Sequence, residues 1–122
     1  MRVSNNTPLQ EVFNIIATHL LTQNEKSEGV VNGEKTCMYR NSEGLMCAAG
    51  CLIEDAEYTK KSEGDLFFMT PYSTGVGYDL RNLIGDLQFV HDSSDPEDWL
   101  YNLTAVAHEH EFDTNSLERA KQ

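Results

Sequence analysis

Three cysteines, Cys37, Cys47 and Cys51, and four histidines are the side chains of this chain best suited to metal ligation or nucleophilic chemistry. If the local chain is helical, Cys47-x-x-x-Cys51 puts two thiols on one face. Cys37 can then approach across a hairpin, with His19 or His91 as a fourth ligand, a set that suits tetrahedral zinc. Structural zinc sites usually carry such close pairs twice, and here only one pair qualifies. Cysteine set among alanine, leucine and isoleucine more often serves as a small buried hydrophobe. A zinc site on Cys37, Cys47, Cys51, His19 and His91 is therefore the alternative reading, and no cofactor the first. A thiol enzyme needs a cation or base beside its cysteine, and no spacing singles out such a pair. His91-Asp92 lacks further ligands at a recognisable spacing, and His108 and His110, two apart on a helix, point away from each other. Gly75-x-Gly77 ahead of a helix falls short of a phosphate loop, with neither a third glycine nor a Lys-Ser/Thr pair.

Charge narrows the partners. The chain has 122 residues with 20 acidic against 9 basic, a formal net charge of -11. Such a field repels phosphate backbones and anionic lipid, so direct nucleic-acid or membrane-surface binding is not expected, and a neutral or basic protein is the easier partner. From Asp79 onward ten acids face Arg81, Arg119 and Lys121. An acidic face can imitate a nucleic-acid backbone and occupy a basic cleft, although most charge runs are ordinary solvated surface. Asp79, Asp86, Asp92, Glu97, Asp98 and Glu109 are the candidate interaction residues. The apolar runs fall well short of the roughly 18 residues of a membrane span, and the N-terminus lacks a signal-peptide segment, so a cytoplasmic protein with reduced thiols is expected.

The elements that position these residues follow from periodicity. Thr7, Pro8 and Gln10 read as N-cap, first helical position and capping-box partner of a helix over 8–22, with Leu9, Val12, Phe13, Ile16 and Leu20 as its apolar stripe and Ile15 and Leu21 widening it. His19, at the edge of that stripe, is expected to be partly buried and bonded to backbone. Residues 24–35 read as a loop, and 36–47 as a short β-hairpin turning at Asn41-Ser42-Glu43-Gly44. Ala48, Ala49 and Gly50 are small enough for another backbone to come close. The element type of 65–69 stays open, and 71–77 is loop. A second helix carries Leu80, Leu83, Ile84, Leu87 and His91; a third, capped by Asp95 with Pro96 in its first turn, buries Trp99, Leu100, Leu103, Val106, Ala107 and His110. Asp113 or Thr114 caps a last turn through Leu117. The sum is an α+β fold, a single domain over 1–122 that is mainly helical, with three main helices packed on a short β-hairpin.

Tyr39, Arg40, Gly44, Cys47, Ala48, Gly50, Cys51, Leu52, Ile53, Asp55 and Tyr58 together resemble the signature of a family of small uncharacterised proteins of tailed bacteriophages and bacterial genomes. The flanks are similar too: His19-Leu20-Leu21-x-Gln23 upstream, Glu63-Gly64 after the tyrosine, and Leu87-Gln88-x-x-His91-Asp92 downstream, so the resemblance spans about residues 12–110. Glu54 departs from the pattern, where the family often has proline. The resemblance implies a phage or prophage setting, in which proteins of this size commonly bind and redirect a host protein. The expected function is thus a non-enzymatic accessory protein that binds a host protein, with inhibition of a defence or nucleic-acid enzyme through the acidic surface as its mode. The alternative is a small zinc- or thiol-dependent enzyme. An uncovered hairpin edge also leaves room for a homodimer.

Overall fold

The first helix is set by Pro8 rather than by a capping side chain. In the computed structural model, which describes residues 1–120, α1 (Leu9–Gln23) begins after Pro8, whose extended backbone leaves its carbonyl free to accept from Glu11 and Val12. Thr7 is not the cap expected: its Oγ1 accepts from the Ser4 amide at 3.0 Å and closes a turn ahead of the helix. Gln10 is no capping-box partner either. Its Oε1 accepts from the Asp113 amide at 2.8 Å, which ties the start of α1 to the far end of the chain. Val12, Phe13, Ile16, Ala17 and Leu20 are buried, whereas Ile15 lies on the open side of the helix.

The hairpin lies earlier than 36–47. Two strands, β1 (Glu28–Val31) and β2 (Glu34–Cys37), pair antiparallel with Glu28 opposite Cys37 and Val31 opposite Glu34. Asn32 and Gly33 join them with φ of 53° and 83°, the left-handed pair that a two-residue type I′ turn requires. The stretch 24–35 is therefore half strand, not loop. Of the hairpin expected at 36–47 one bridge survives, between Arg40 and Met46, closed by Asn41, whose Oδ1 accepts from the amides of Glu43 and Leu45.

From Cys47 to Ile53 every residue is buried, with a 3₁₀ turn at Gly50–Leu52. Further single 3₁₀ turns follow at Lys60–Ser62, Phe67–Met69 and Pro71–Ser73, so 65–69 is neither strand nor α-helix. The remaining helices are α2 (Tyr78–Ser93), α3 (Trp99–Glu109) and the short α4 (Asn115–Ala120), which runs past Leu117. Asp95 makes no side-chain cap bond; a 3₁₀ turn at Pro96–Asp98 leads into α3 instead. α1 packs against α2, α3 and α4, and α2 against α3. Phe13, Ile16 and Leu20 of α1 meet Leu83, Ile84 and Leu87 of α2 and Trp99 and Leu103 of α3 in one core that also takes in Cys47 to Ile53. The architecture is thus a small, helix-dominated α+β fold with a two-stranded antiparallel hairpin. No helix among the described residues is long and apolar enough to cross a membrane.

Candidate functional site

The thiols and imidazoles are only partly brought together. Among the described residues, Cys37, His91 and Asp92 offer ligand atoms within 4.8 Å of one another, while Cys47, Cys51 and His19 join no such group. His19 donates from Nε2 to the Met46 carbonyl at 2.8 Å, the backbone bond expected of it, and burial lowers its pKa. The Cys47 sulfur accepts from the Gly50 amide at 3.3 Å, and the Cys51 thiol donates to the Ala48 carbonyl at 3.1 Å.

His91 is fully buried, stacked on Trp99 with ring centroids 5.4 Å apart. The Ser27 amide donates to its Nε2 at 3.0 Å, which puts the ring proton on Nδ1, from where it is donated to the Asp92 carboxylate at 2.7 Å. That tautomer leaves no free lone pair on Nδ1 for the ion that Cys37 and Asp92 would share. The hydrogen bonding therefore works against a zinc site in this cluster.

The cysteines are also poorly placed as nucleophiles, which need a depressed pKa or an adjacent base. Burial and the neighbouring Asp92 carboxylate push Cys37 up to about 12. Burial likewise raises Cys51 to about 12, and Cys47 moves in the same direction. A thiol with its pKa near 12 has about a thousandth of the thiolate of a free cysteine at pH 8. Iodoacetamide at that pH is expected to modify the folded chain at least a hundredfold more slowly than the urea-unfolded chain, as read by intact mass. Rapid modification of one cysteine would revive the thiol enzyme. The same shift has a linkage consequence. The folded state keeps protons that the unfolded state releases, so this contribution to stability is complete below about pH 8.5 and drains as pH rises toward 12.

The polar residues that carry the resemblance are engaged in holding backbone. Gln23 of α1 accepts from the Met46 amide at 3.0 Å and donates to its carbonyl at 2.9 Å, beside His19. Gln88 of α2 accepts from the Ala49 amide at 2.9 Å and donates to Asp92 at 2.8 Å. Glu63 accepts from the amides of Tyr39 at 2.8 Å and Arg40 at 3.0 Å and from the Tyr58 hydroxyl at 2.6 Å. Arg40 lies over the Tyr58 ring at 4.9 Å and donates to Asp55 and to the Ile53 carbonyl. These contacts are architecture. The glycines ahead of α2 are used in the same way, since Asn5 accepts from the Gly77 amide and donates to the Gly75 carbonyl, which takes up the donor that a phosphate loop would need.

One surface open to a partner lies on the outer side of α2 and α3, apart from exposed apolar side chains elsewhere such as Val30, Phe68 and Met69. A groove of about 330 Å³ runs between them, lined by Asp86, Phe89, Val90, Asn102, Val106 and Glu109, with Ser93 and Ser94 at one end. Asp86 accepts from or pairs with His110 Nε2 at 3.0 Å, which fixes the acidic end of the groove at the C-terminus of α3. Of the six candidate interaction acids, Asp86 and Glu109 line this groove. Asp79 is exposed in the first turn of α2, and Asp92 is committed to His91 and Gln88. Glu97 and Asp98 sit with Asp95 in an exposed cluster before α3. Phe89, 70 % exposed, is the most prominent of the groove residues absent from the candidate interaction set, along with Val90 and Asn102. Its signal was there: an aromatic two residues past Leu87 and two before His91, off the buried stripe of its helix. Comparison with protein families, with characterised proteins and with solved structures finds no match for the chain.

Proposed function

We propose that this chain is a non-enzymatic accessory protein of phage type, acting in the host cytoplasm by binding a host protein through the outer face of α2 and α3. The observation that carries the reading is the α2–α3 groove, where an exposed aromatic, Phe89, stands over an apolar floor of Val90 and Val106 with two carboxylates at one end. Exposed aromatics are the usual anchors of protein interfaces, and rim charges select and steer the partner. The net charge of -11 favours a cationic surface as that partner, for which the basic cleft of a defence or nucleic-acid enzyme is the natural class. The phage setting rests on the resemblance of residues 39–58 and their flanks. Spending those residues on backbone contacts fits a binding module, whose signature preserves a shape and not a reaction.

The test is photo-crosslinking in host lysate with p-benzoylphenylalanine in place of Phe89, and in place of Val30 as the control. The reading expects one basic protein captured at position 89, absent at position 30 and lost when Asp86→Lys and Glu109→Lys are added. Capture that is indifferent to those reversals, or equal at both positions, overturns it.

A further inference from the structure

We infer that the occupant of the α2–α3 groove is an amphipathic helix of two to three turns, with apolar residues at its centre and arginine or lysine at one end. The inference rests on the binding reading above and adds the form of the partner. Three features of the groove carry it.

The first is its wall. Both sides are α-helix, so the backbone amides and carbonyls beside it are already bonded within α2 and α3. An extended peptide laid there would bury its own amides and carbonyls with no backbone to pair with. A helix brings those groups already satisfied, and only its side chains have to fit.

The second is the spacing. Along α2 the lining falls at Asp86, Phe89, Val90 and Ser93, and along α3 at Asn102, Val106 and Glu109. Those intervals of three, four and seven residues make one stripe on each helix, about 10 Å long at 1.5 Å per residue. Two such stripes side by side form a trough into which the ridge of a third helix packs. The opposite side of the α2–α3 pair is already filled in this way by α1.

The third is polarity. The chain reverses between α2 and α3, the Trp99 indole donating to the Ser94 carbonyl at one end and His110 meeting Asp86 at the other. The acidic pair Asp86 and Glu109 therefore shares one end, while Ser93, Ser94 and Asn102 line the other, beyond which lies the exposed cluster of Asp95, Glu97 and Asp98. A cation at the Asp86–Glu109 end is matched by carboxylates that line the groove itself.

The probe is a synthetic, terminally blocked, lactam-stapled 14-residue helix with leucines at i and i+4 on one face and two arginines at one end of that face. It is titrated into the ¹⁵N-labelled full chain. Two comparison peptides have the same composition with a central proline, which forbids the helix, or have glutamate for arginine. The expected result is amide shift changes clustered at Asp86, Phe89, Asn102, Val106 and Glu109. Affinity should fall about tenfold or more with the proline peptide, with the glutamate peptide, or with Phe89→Ala in the protein. Binding of the proline peptide in the groove as tightly as the stapled one overturns the helix while leaving the binding reading intact. Shift changes spread over the acidic surface and abolished equally by salt mean general attraction and also overturn it, as does the absence of shift changes with every peptide. The crosslinking at position 89 decides the wider reading independently.

Discussion

Gly50→Ala is expected to cost about 3 kcal/mol or more, roughly a fifth to three fifths of the 5–15 kcal/mol that an ordinary domain has. A Cβ built on Gly50 would stand 2.1 Å from the Tyr39 carbonyl oxygen, 2.9 Å from the carbonyl carbon and 3.1 Å from the Tyr39 Cα. All three are backbone atoms, so no side chain can swing aside. The Tyr39 segment cannot back away cheaply, because its amide is bonded to Glu63 and its carbonyl accepts from Cys47. Nor can Gly50 retreat: its amide is bonded to the Cys47 sulfur, and the residues on either side, Ala49 and Cys51, are buried. Gly85→Ala is the matched control, since nothing lies within 4 Å of a Cβ on that exposed residue of α2. It should stabilise by about 0.5–1 kcal/mol through helix propensity alone. Urea unfolding of both variants at unchanged m-value separates the two effects. A loss under about 1 kcal/mol for Gly50→Ala would mean that the CAAGCLI segment and the Tyr39 backbone are not locked together as described.

The close approach at Gly50 was legible because small residues announce it, and the three long helices because an apolar stripe repeats every three to four residues within one element. The spacing of α2 predicts five of its buried residues, Leu80, Leu83, Ile84, Leu87 and His91, and misses the sixth, Val90. The β-hairpin was misplaced for two reasons. Its strands are four residues long, and in β1 only Val30 is exposed while its neighbours are half-buried, so no alternation separates inside from outside. The Asn32-Gly33 dipeptide was the signal available, and it belongs to the turn rather than to the strands. Caps failed where a neighbour competed: Thr7 had Ser4 to bond, and Gln10 had Asp113. The part of the site that no local pattern contains is tertiary. That Ser27 fixes the tautomer of His91 depends on two residues 64 apart in the chain, and it bears directly on the zinc alternative.

The same tertiary logic gives the second large effect. Glu63→Ala is expected to destabilise by about 3–5 kcal/mol, comparable with breaking a buried ionic network, and Glu63→Gln by about 1–3 kcal/mol. Alanine leaves the amides of Tyr39 and Arg40 without an acceptor and removes the partner of the Tyr58 hydroxyl. Glutamine keeps the shape but offers one acceptor oxygen. Whichever amide faces its NH₂ group meets a donor against a donor, so the amide pair cannot both be satisfied. Tyr58 supplies a reporter that simple loss of packing would not move. Burial and the hydrogen bond to Glu63 raise its pKa, with the Glu63 charge adding to the rise, so in Glu63→Gln the phenolate should appear at lower pH than in the parent chain. Tyr58→Phe removes the hydroxyl while leaving the ring under Arg40, and the double variant with Glu63→Ala should lose less than the two single losses added together, by about 0.5–3 kcal/mol. Strict additivity, with Tyr58 titrating unchanged in Glu63→Gln, would mean that Glu63 only fills space. Coupling would establish that Glu63 fastens the Tyr39–Arg40 segment to the Tyr58 turn, and with it the close contact against which Gly50 is packed.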